Sequence, residues 1–259
     1  MTRSKITALF AAGIAAVLSM SAFDEALAGA DTSRRGSVGG RPSDAHGGAK
    51  NNPGVVPVHA RPMGRSYSQW SAAWLQWVFQ MPATGHPLLP GGVQCNERQS
   101  GKVWFLGGTL FSADPVSRAC VVPSGTSLFF PLIQQGYGAF LNDPPEQRTE
   151  EFLRQAVECT DPVIAVAIDG VVLKNPAQYL VRSALVDIQL PADNLFGLDE
   201  TTVPQLKLSP SVDFGYYLFL APLPVGVHDI SWSAKMNCPI SGGEVSQTVN
   251  YHVSVTPRR

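Results

Sequence analysis

The amino-acid sequence predicts a mainly β protein: an antiparallel, jelly-roll-like β-sandwich with an N-terminal Trp-rich helix and one further short helix. Many short apolar runs are separated by turn residues, in a chain of 259 residues with 24 Gly and 21 Pro. One segment, 67–81, has helical periodicity, and another, 245–255, alternates between a largely apolar and a polar face. Short strands with frequent turns are typical of two packed antiparallel sheets.

The first 28 residues are typical of a secretory signal peptide. Arg3 and Lys5 precede the apolar run 6–20, and Ala26–Ala28 offers small residues for cleavage. The run is shorter than the roughly 20 residues that a membrane-spanning helix needs. We therefore expect an exported protein, periplasmic or extracellular, without an integral membrane segment after cleavage.

Residues 29–65 form a predicted disordered, basic, Gly/Pro-rich spacer. From Asp31 to Arg65 the chain carries six Lys or Arg, two Asp or Glu and no aromatic residue. Such a composition buries too little apolar surface to offset the entropy lost on ordering. Residues 66–259 are expected to fold as a single β-sandwich domain. With eleven basic and sixteen acidic side chains, this domain gives no reason to expect nucleic-acid binding.

The segment 67–81 predicts an amphipathic helix closed by Pro82. Its apolar stripe, spaced by three and four residues, consists of Tyr67, Trp70, Trp74, Trp77, Val78 and Met81. No charged residue occurs between Ser66 and Gln94, which indicates a helix enclosed on more than one side. Three indoles on one stripe could form a platform for a sugar or peptide, but their helical spacing favours a core helix.

The remaining elements follow from turn and cap signals. Residues 82–97 are a predicted Gly/Pro-rich loop. A second helix is predicted with Asp143 as N-cap and Pro144 at its first position, ending before Pro162. Asp169-Gly170 is the strongest hairpin signal in the chain. The predicted strands are 103–106, 118–122, 126–133, 163–168, 171–173, two within 179–190, 214–220, 226–234 and 245–255.

Four cysteines follow the predicted signal peptide: Cys95, Cys120, Cys159 and Cys238. An even number in an exported protein indicates two disulfides, for which three connectivities are possible. We favour Cys95–Cys120 with Cys159–Cys238, because the first pair brackets one short β segment. The spacings fit no zinc-binding pattern, so neither a metal nor another cofactor is expected.

Among the histidines, His86 is the best candidate for ligand binding, because it lies in the loop directly after the Trp-rich helix. The alternative is an exposed loop residue without a role. His228 and His252 lie on strands that can pair as a hairpin. Alternation places His228 on the side of Ile230 and His252 on the polar side of Asn250. The two imidazoles should therefore point to opposite faces, which argues against a shared metal site.

Tyr216 and Tyr217 are the second candidate ligand-binding feature. Neighbours on a strand face opposite sides, so one of them should meet solvent, where it could stack on a sugar ring or cover a sheet edge. An enzyme acting on glycans would need two carboxyl groups roughly 5 to 10 Å apart. Sequence spacing pairs none of the carboxylates, and the common hydrolase and nucleotide-binding motifs are missing. No catalytic residue is therefore assigned.

A further set of motifs lies between Tyr67 and Val255. It comprises Tyr67-Ser-x-x-Trp70-Ser-x-x-Trp74-x-x-Trp77, Pro87-Leu88-Leu89, Cys95, Gly101-x-Val103-Trp104-Phe105-Leu106-x-Gly108-Thr109, Arg118-x-Cys120-x-Val122-Pro123-x-Gly125, Leu128-Phe129-Phe130-Pro131, Gly215-Tyr216-Tyr217 and Pro222-Leu223-x-x-Gly226-x-His228-x-Ile230. Together they resemble a family of exported bacterial proteins of unknown function. The resemblance implies the domain boundaries and the exported location, and it implies no activity or catalytic residue.

These observations predict an exported, disulfide-braced β-sandwich that acts as a binding or envelope- and surface-associated module. Its partner would be an extracellular glycan or an envelope protein. The alternative is an extracellular polysaccharide hydrolase or lyase that uses an acidic pair in an aromatic cleft. Two close carboxylates, one shielded from water beside Tyr216 or Tyr217, would favour the enzyme. A large exposed apolar patch would favour a purely structural envelope protein.

Overall fold

A computed structural model describes residue 52 and residues 54–89, 95–110 and 114–258. The predicted signal peptide, 1–28, lies outside the described residues, as does most of the predicted spacer. No helix within the described ranges is long and apolar enough to cross a bilayer.

Two five-stranded sheets pack face to face, which confirms the predicted β-sandwich. The strands are β1 Val103–Phe105, β2 Val116–Pro123, β3 Ser127–Phe140, β4 Thr160–Ile168, β5 Val171–Val172, β6 Leu180–Arg182, β7 Val186–Gln189, β8 Lys207–Leu220, β9 Gly226–Cys238 and β10 Gly243–Thr256. The first sheet has the order β1-β3-β8-β6, with β7 also paired to β8, and the second has the order β2-β10-β9-β4-β5. Across the interface, the rings of Phe130 and Trp232 stack with centroids 5.1 Å apart.

Two strand pairs differ from the predicted antiparallel arrangement. β1 runs parallel to β3 and β2 runs parallel to β10, in each case at the edge of a sheet. The other pairs are antiparallel. No hairpin joins either parallel pair, because the chain passes through other strands between them, so local turn signals could not reveal their direction.

The predicted Trp-rich helix is present as α1, Tyr67–Phe79, and it covers the outer face of the first sheet. It begins with a capping box formed by Ser66 and Gln69. Trp74 is 1% exposed, lies against Tyr217 and donates from its indole Nε1 to the Leu106 carbonyl at 2.9 Å. The structure therefore supports the core-helix interpretation over the exposed aromatic platform.

The second helix, α2, spans Glu150–Val157, and its predicted start was wrong. Thr149 is the N-cap, and its Oγ1 accepts from the Phe152 amide at 3.2 Å. The carboxylate of Asp143 instead accepts from the Phe140 amide at 2.7 Å. Pro144 adopts an extended backbone because Pro145 follows it, and a residue before proline disfavours the helical region.

Both predicted disulfides are present. Cys95–Cys120 ties the loop after α1 to β2, with a Cα–Cα distance of 5.4 Å. Cys159–Cys238 joins the chain entering β4 to the end of β9, with a Cα–Cα distance of 4.4 Å. The first bond holds an irregular segment against a strand, and the second links the ends of two adjacent strands of the second sheet.

The last part of the predicted disordered spacer has a defined place on the sandwich, which corrects that prediction for Asn52 and residues 54–65. Val55 is buried and forms a β-bridge with Leu220, and the Val56 amide donates to the Phe219 carbonyl at 2.9 Å. Two adjacent valines give this stretch a local apolar anchor that the average composition of 29–65 conceals.

Candidate functional site

A groove of about 250 Å³ opens at one end of the second sheet. One wall is the β4–β5 hairpin, the other is the loop 221–225 between β8 and β9, and Asn52 and Gly54 lie at its base. The lining side chains used below are Ile168, Val171, Val172, Pro222, Leu223 and Pro224. The groove therefore has largely apolar walls, which is typical of ligand-binding clefts.

The hairpin wall is built by the predicted Asp169-Gly170 turn. Both residues have positive φ, 50° and 76°, as a two-residue type I′ connection requires. The turn pairs Ile168 with Val171, while β5 is the last strand of its sheet. Because ladder contacts alternate along a strand, the N–H and C=O of Val172 point away from β4. No strand among the described residues pairs with this side of β5, so the wall presents a backbone edge as well as apolar side chains.

The base of the groove is held by the segment predicted to be disordered. The Ala221 amide donates to the Gly54 carbonyl at 2.8 Å, which connects this segment to the loop wall. The Asn52 side chain makes two bonds to the backbone of Lys174, at 2.7 Å and 3.0 Å, which connects it to the hairpin wall. Both walls are therefore attached to the same short stretch of chain.

A His–Asp pair lies at the rim of the groove. His228 Nδ1 lies 2.7 Å from Oδ2 of Asp169, and its Nε2 lies 2.9 Å from the Pro224 carbonyl oxygen. The hydrogen bond to Asp169 raises the pKa of His228 above 6.5, against a smaller opposing effect of burial. Burial works to raise the pKa of Asp169, but the bonds from His228 and the Asp229 amide outweigh it and lower that pKa. The pair contributes no net charge to the rim when both groups are ionised.

Large apolar side chains remain exposed around this groove. Val171 and Val172 on the hairpin are 53% and 54% exposed, and Val225 and Val227 beside the loop are 59% and 75% exposed. The loop 221–225 has the sequence Ala-Pro-Leu-Pro-Val and carries no charge. Val171 and Val172 also line the groove, so exposed apolar surface is part of its wall, as is common where a protein contacts another molecule.

Tyr216 and Tyr217 are both buried, so the prediction that one of them meets solvent was wrong. Tyr217 is fully buried against α1, with its ring stacked on Phe129 at 5.2 Å between centroids. Tyr216, on the other face of β8, is 5% exposed and pairs with Leu180 of β6. The two tyrosines do face opposite sides, but the sheet is covered on both. Neither can stack on a sugar ring in this conformation.

His86 is 1% exposed, so it is not a free loop side chain, and it contacts the end of α1. Its Nε2 lies 2.9 Å from the Val78 carbonyl, and its Nδ1 accepts from the Leu88 amide at 3.2 Å. This pattern fits the neutral tautomer with its proton on Nε2. Burial lowers the pKa of His86, which the Val78 carbonyl only partly opposes. The residue contacts the end of α1 and does not line the groove.

The most perturbed carboxyl group is Asp213, which is enclosed between β8 and α1. Ser71 Oγ donates to its Oδ1 at 2.7 Å, and the Tyr217 hydroxyl donates to its Oδ2. Burial raises the pKa of Asp213 to about 6, although both hydroxyl donors and the charge of Arg154 oppose the rise. Asp213 is 0% exposed, so this proton-holding group has no access to a substrate.

The two strand histidines lie on opposite faces, as alternation predicts. His228 is on the inner side of β9 at the groove, whereas His252 Nδ1 pairs with Asp229 Oδ1 at 2.6 Å on the outer face. Among the described residues, no group of three or more His, Cys, Asp or Glu side chains is arranged to hold a metal ion.

Sequence reasoning missed the groove, although its parts were visible. The sequence predicts Asp169 only as a turn residue. The motif Pro222-Leu223-x-x-Gly226-x-His228 contributes only to the family resemblance. The hairpin and the loop are separated by about 50 residues, and Asn52 is more than 100 residues from both. No matching family model, curated protein or similar solved structure was found for this chain.

Proposed function

We propose that this protein is an exported binding module that docks an extended, uncharged, apolar peptide segment of a partner protein in the groove between the β4–β5 hairpin and the 221–225 loop. The observation that carries this proposal is the coincidence of an apolar groove with a free strand edge. The two disulfides and the signal-peptide pattern support export, because such bonds persist in oxidising compartments.

An extended peptide suits both features of the groove. Its backbone would pair with the outward N–H and C=O of Val172, in the manner of strand addition to a sheet edge. Alternate side chains would enter the groove, since side chains of a strand point to opposite faces. A cavity of roughly 150 Å³ holds a benzene-sized group, so about 250 Å³ accommodates two small aliphatic side chains.

Charge favours the same ligand. The loop carries no ionisable side chain, and the exposed hairpin valines carry none either. The neighbouring Asp169 and His228 neutralise one another while His228 is protonated. A charged peptide side chain would therefore enter the groove without a counter-charge, which is unfavourable.

The two earlier alternatives have less support. Carbohydrate stacking was assigned to Tyr216 and Tyr217, and both are buried. An enzyme was expected to show a shielded carboxylate beside one of these tyrosines, together with a second carboxylate. Asp213 and Tyr217 satisfy the first part, but full burial of Asp213 keeps any polymer away from it.

The test is binding of a fluorescein-labelled alternating Val-Thr hexapeptide, followed by fluorescence anisotropy. We expect saturable binding that is lost in Val172→Asp and in Leu223→Asp. Val121→Asp is the matched control, because Val121 is 58% exposed on β2, at the opposite edge of the same sheet. The same peptide N-methylated at alternate positions tests the backbone pairing. Equal binding by all three variants, or no binding by the wild type, would refute the proposal.

A further inference from the structure

His228 stands between the two walls of the groove and contacts both. Its Nδ1 lies 2.7 Å from Oδ2 of Asp169 on the β4–β5 turn, and its Nε2 lies 2.9 Å from the Pro224 carbonyl oxygen in the loop. The side chain is only 12% exposed, which limits replacement of either contact by water. A single imidazole therefore connects two segments that are about 50 residues apart in sequence.

Both contacts need the doubly protonated ring. A carboxylate and a carbonyl oxygen are acceptors only, whereas a neutral imidazole has one N–H to donate. The imidazolium satisfies both acceptors, and the neutral ring turns one lone pair towards an acceptor. Deprotonation must therefore weaken the contact to Asp169 or the contact to Pro224.

The other charged groups around His228 favour the protonated form. Asp229, the next residue on β9, acts on it through its negative charge. The amide of Asp229 also donates to Oδ1 of Asp169 at 2.9 Å, which fixes that carboxylate in place. On β10, His252 is paired with Asp229 on the outer face. The loop 221–225 has no titratable side chain.

We propose that protonated His228 is a latch that holds the 221–225 loop against the β4–β5 turn, and that loss of its proton releases the loop and weakens docking in the groove. The consequence for docking rests on the proposed function, whereas the movement of the loop does not depend on it.

The sign of the pH dependence follows from the two ionisations. The pKa of His228 is raised above 6.5, so its contribution is complete below pH 6.5 and is lost as the pH rises through the higher folded value. The pKa of Asp169 is lowered below 3.8, so its contribution is lost only as the pH falls through that lower value. The latch is therefore closed in mildly acidic solution and opens as the pH rises through the raised pKa of His228.

The first experiment is an NMR titration of the protein without ligand. We expect both ring nitrogens of His228 to be protonated at about pH 6, and the methyl signals of Leu223 and Val225 to shift with the same midpoint as the ring. In His228→Gln, which retains one N–H donor but does not titrate, the methyl shifts should disappear. In the control His252→Gln they should persist. A singly protonated His228 at pH 6 would overturn the latch. So would methyl chemical shifts that do not change as His228 titrates.

The second experiment separates the latch from the docking function. The dissociation constant of the labelled Val-Thr hexapeptide should rise at least about tenfold between pH 6 and pH 8.5, the size expected for one hydrogen bond to a charged group. In His228→Gln the affinity should not change with pH. Binding that is equally tight at both pH values would refute the effect of the latch on docking and leave docking standing. Absence of binding at every pH, with coupled methyl and ring titrations, would refute docking and leave the loop latch standing.

Discussion

Replacing Asp213 by Asn should remove the contribution of one buried titrating group to the pH dependence of the free energy of unfolding. In the folded protein burial raises the pKa of this carboxyl to about 6, against an ordinary value of 3.8. Each tenfold change in proton affinity is worth about 1.4 kcal/mol, so the difference corresponds to about 3 kcal/mol. The Asn side chain can still bond to Ser71 and Tyr217, because each hydroxyl can either donate or accept.

The sign of the effect is fixed by which state holds the proton. Between the two pKa values the folded protein keeps the Asp213 proton and the unfolded chain has lost it. Wild-type stability from this group is therefore highest below pH 3.8 and falls as the pH rises through about 6. About 2 of the 3 kcal/mol should be lost between about pH 4.5 and about pH 7.5.

The assay is denaturant unfolding of wild type and Asp213→Asn, followed by tryptophan fluorescence with both disulfides intact. The difference in unfolding free energy, wild type minus variant, should fall by about 2 kcal/mol over that pH range. Other titrating groups are common to both proteins and cancel in the difference. A difference that is constant or rises with pH would refute the reasoning, since it would mean that Ser71, Tyr217 and Arg154 outweigh the burial of the carboxylate.

Three further changes should lower the free energy of unfolding, and each is measured by denaturant unfolding. Tyr217→Phe removes a donor from the buried carboxylate and should cost about 1 kcal/mol more at pH 8 than at pH 5, because bonds to charged groups are the stronger ones; an equal cost at both values would contradict this. Gly215→Ala should cost about 2 kcal/mol, because a Cβ there would lie 2.5 Å from a backbone oxygen of β3. The control Gly136→Ala, whose Cβ would have no neighbour nearer than a leucine methyl at 3.5 Å, should change stability by less than about 0.5 kcal/mol, so similar costs for the two would refute the steric argument. Replacing Cys159 and Cys238 together by Ala should cost about 4.5 kcal/mol by the loop-closure estimate, since the bond spans 79 residues; a loss below about 2 kcal/mol would contradict that estimate.

The helix and most strands were predictable because their signals are local. The even number of cysteines predicted two disulfides, and the favoured connectivity of the three possible ones is present. Tyr67, Trp70 and Trp74 follow helical spacing, and Asp169-Gly170 marks its hairpin, whatever surrounds them. The predicted start of α2 failed for an equally local reason, since Pro145 keeps Pro144 extended. The ordered stretch around Val55 was missed because a composition averaged over 29–65 dilutes two valines with many polar residues.

The candidate site was not predictable in the same way. Alternation correctly placed Tyr216 and Tyr217 on opposite faces of β8, but it says nothing about what covers each face. The Gly and Pro neighbours of His86 suggest an exposed loop position. In the structure the side chain is buried and contacts a carbonyl at the end of α1. The groove is lined by Asn52, the β4–β5 turn and the 221–225 loop, which are far apart in sequence and lie together only in the folded sandwich.

The sequence by itself therefore determined the β-sandwich class, the position of α1 and the presence of two disulfides, whereas the structure decided which of the three possible connectivities is adopted. Periodicity and turn chemistry act over short stretches of chain, and the number of cysteines is a property of composition alone. Only the tertiary structure decided that Asp213 and Tyr217 are enclosed together, and that His228 lies between Asp169 and Pro224. Burial and proton affinity depend on all the atoms that surround a group, and those atoms come from segments far apart in the chain.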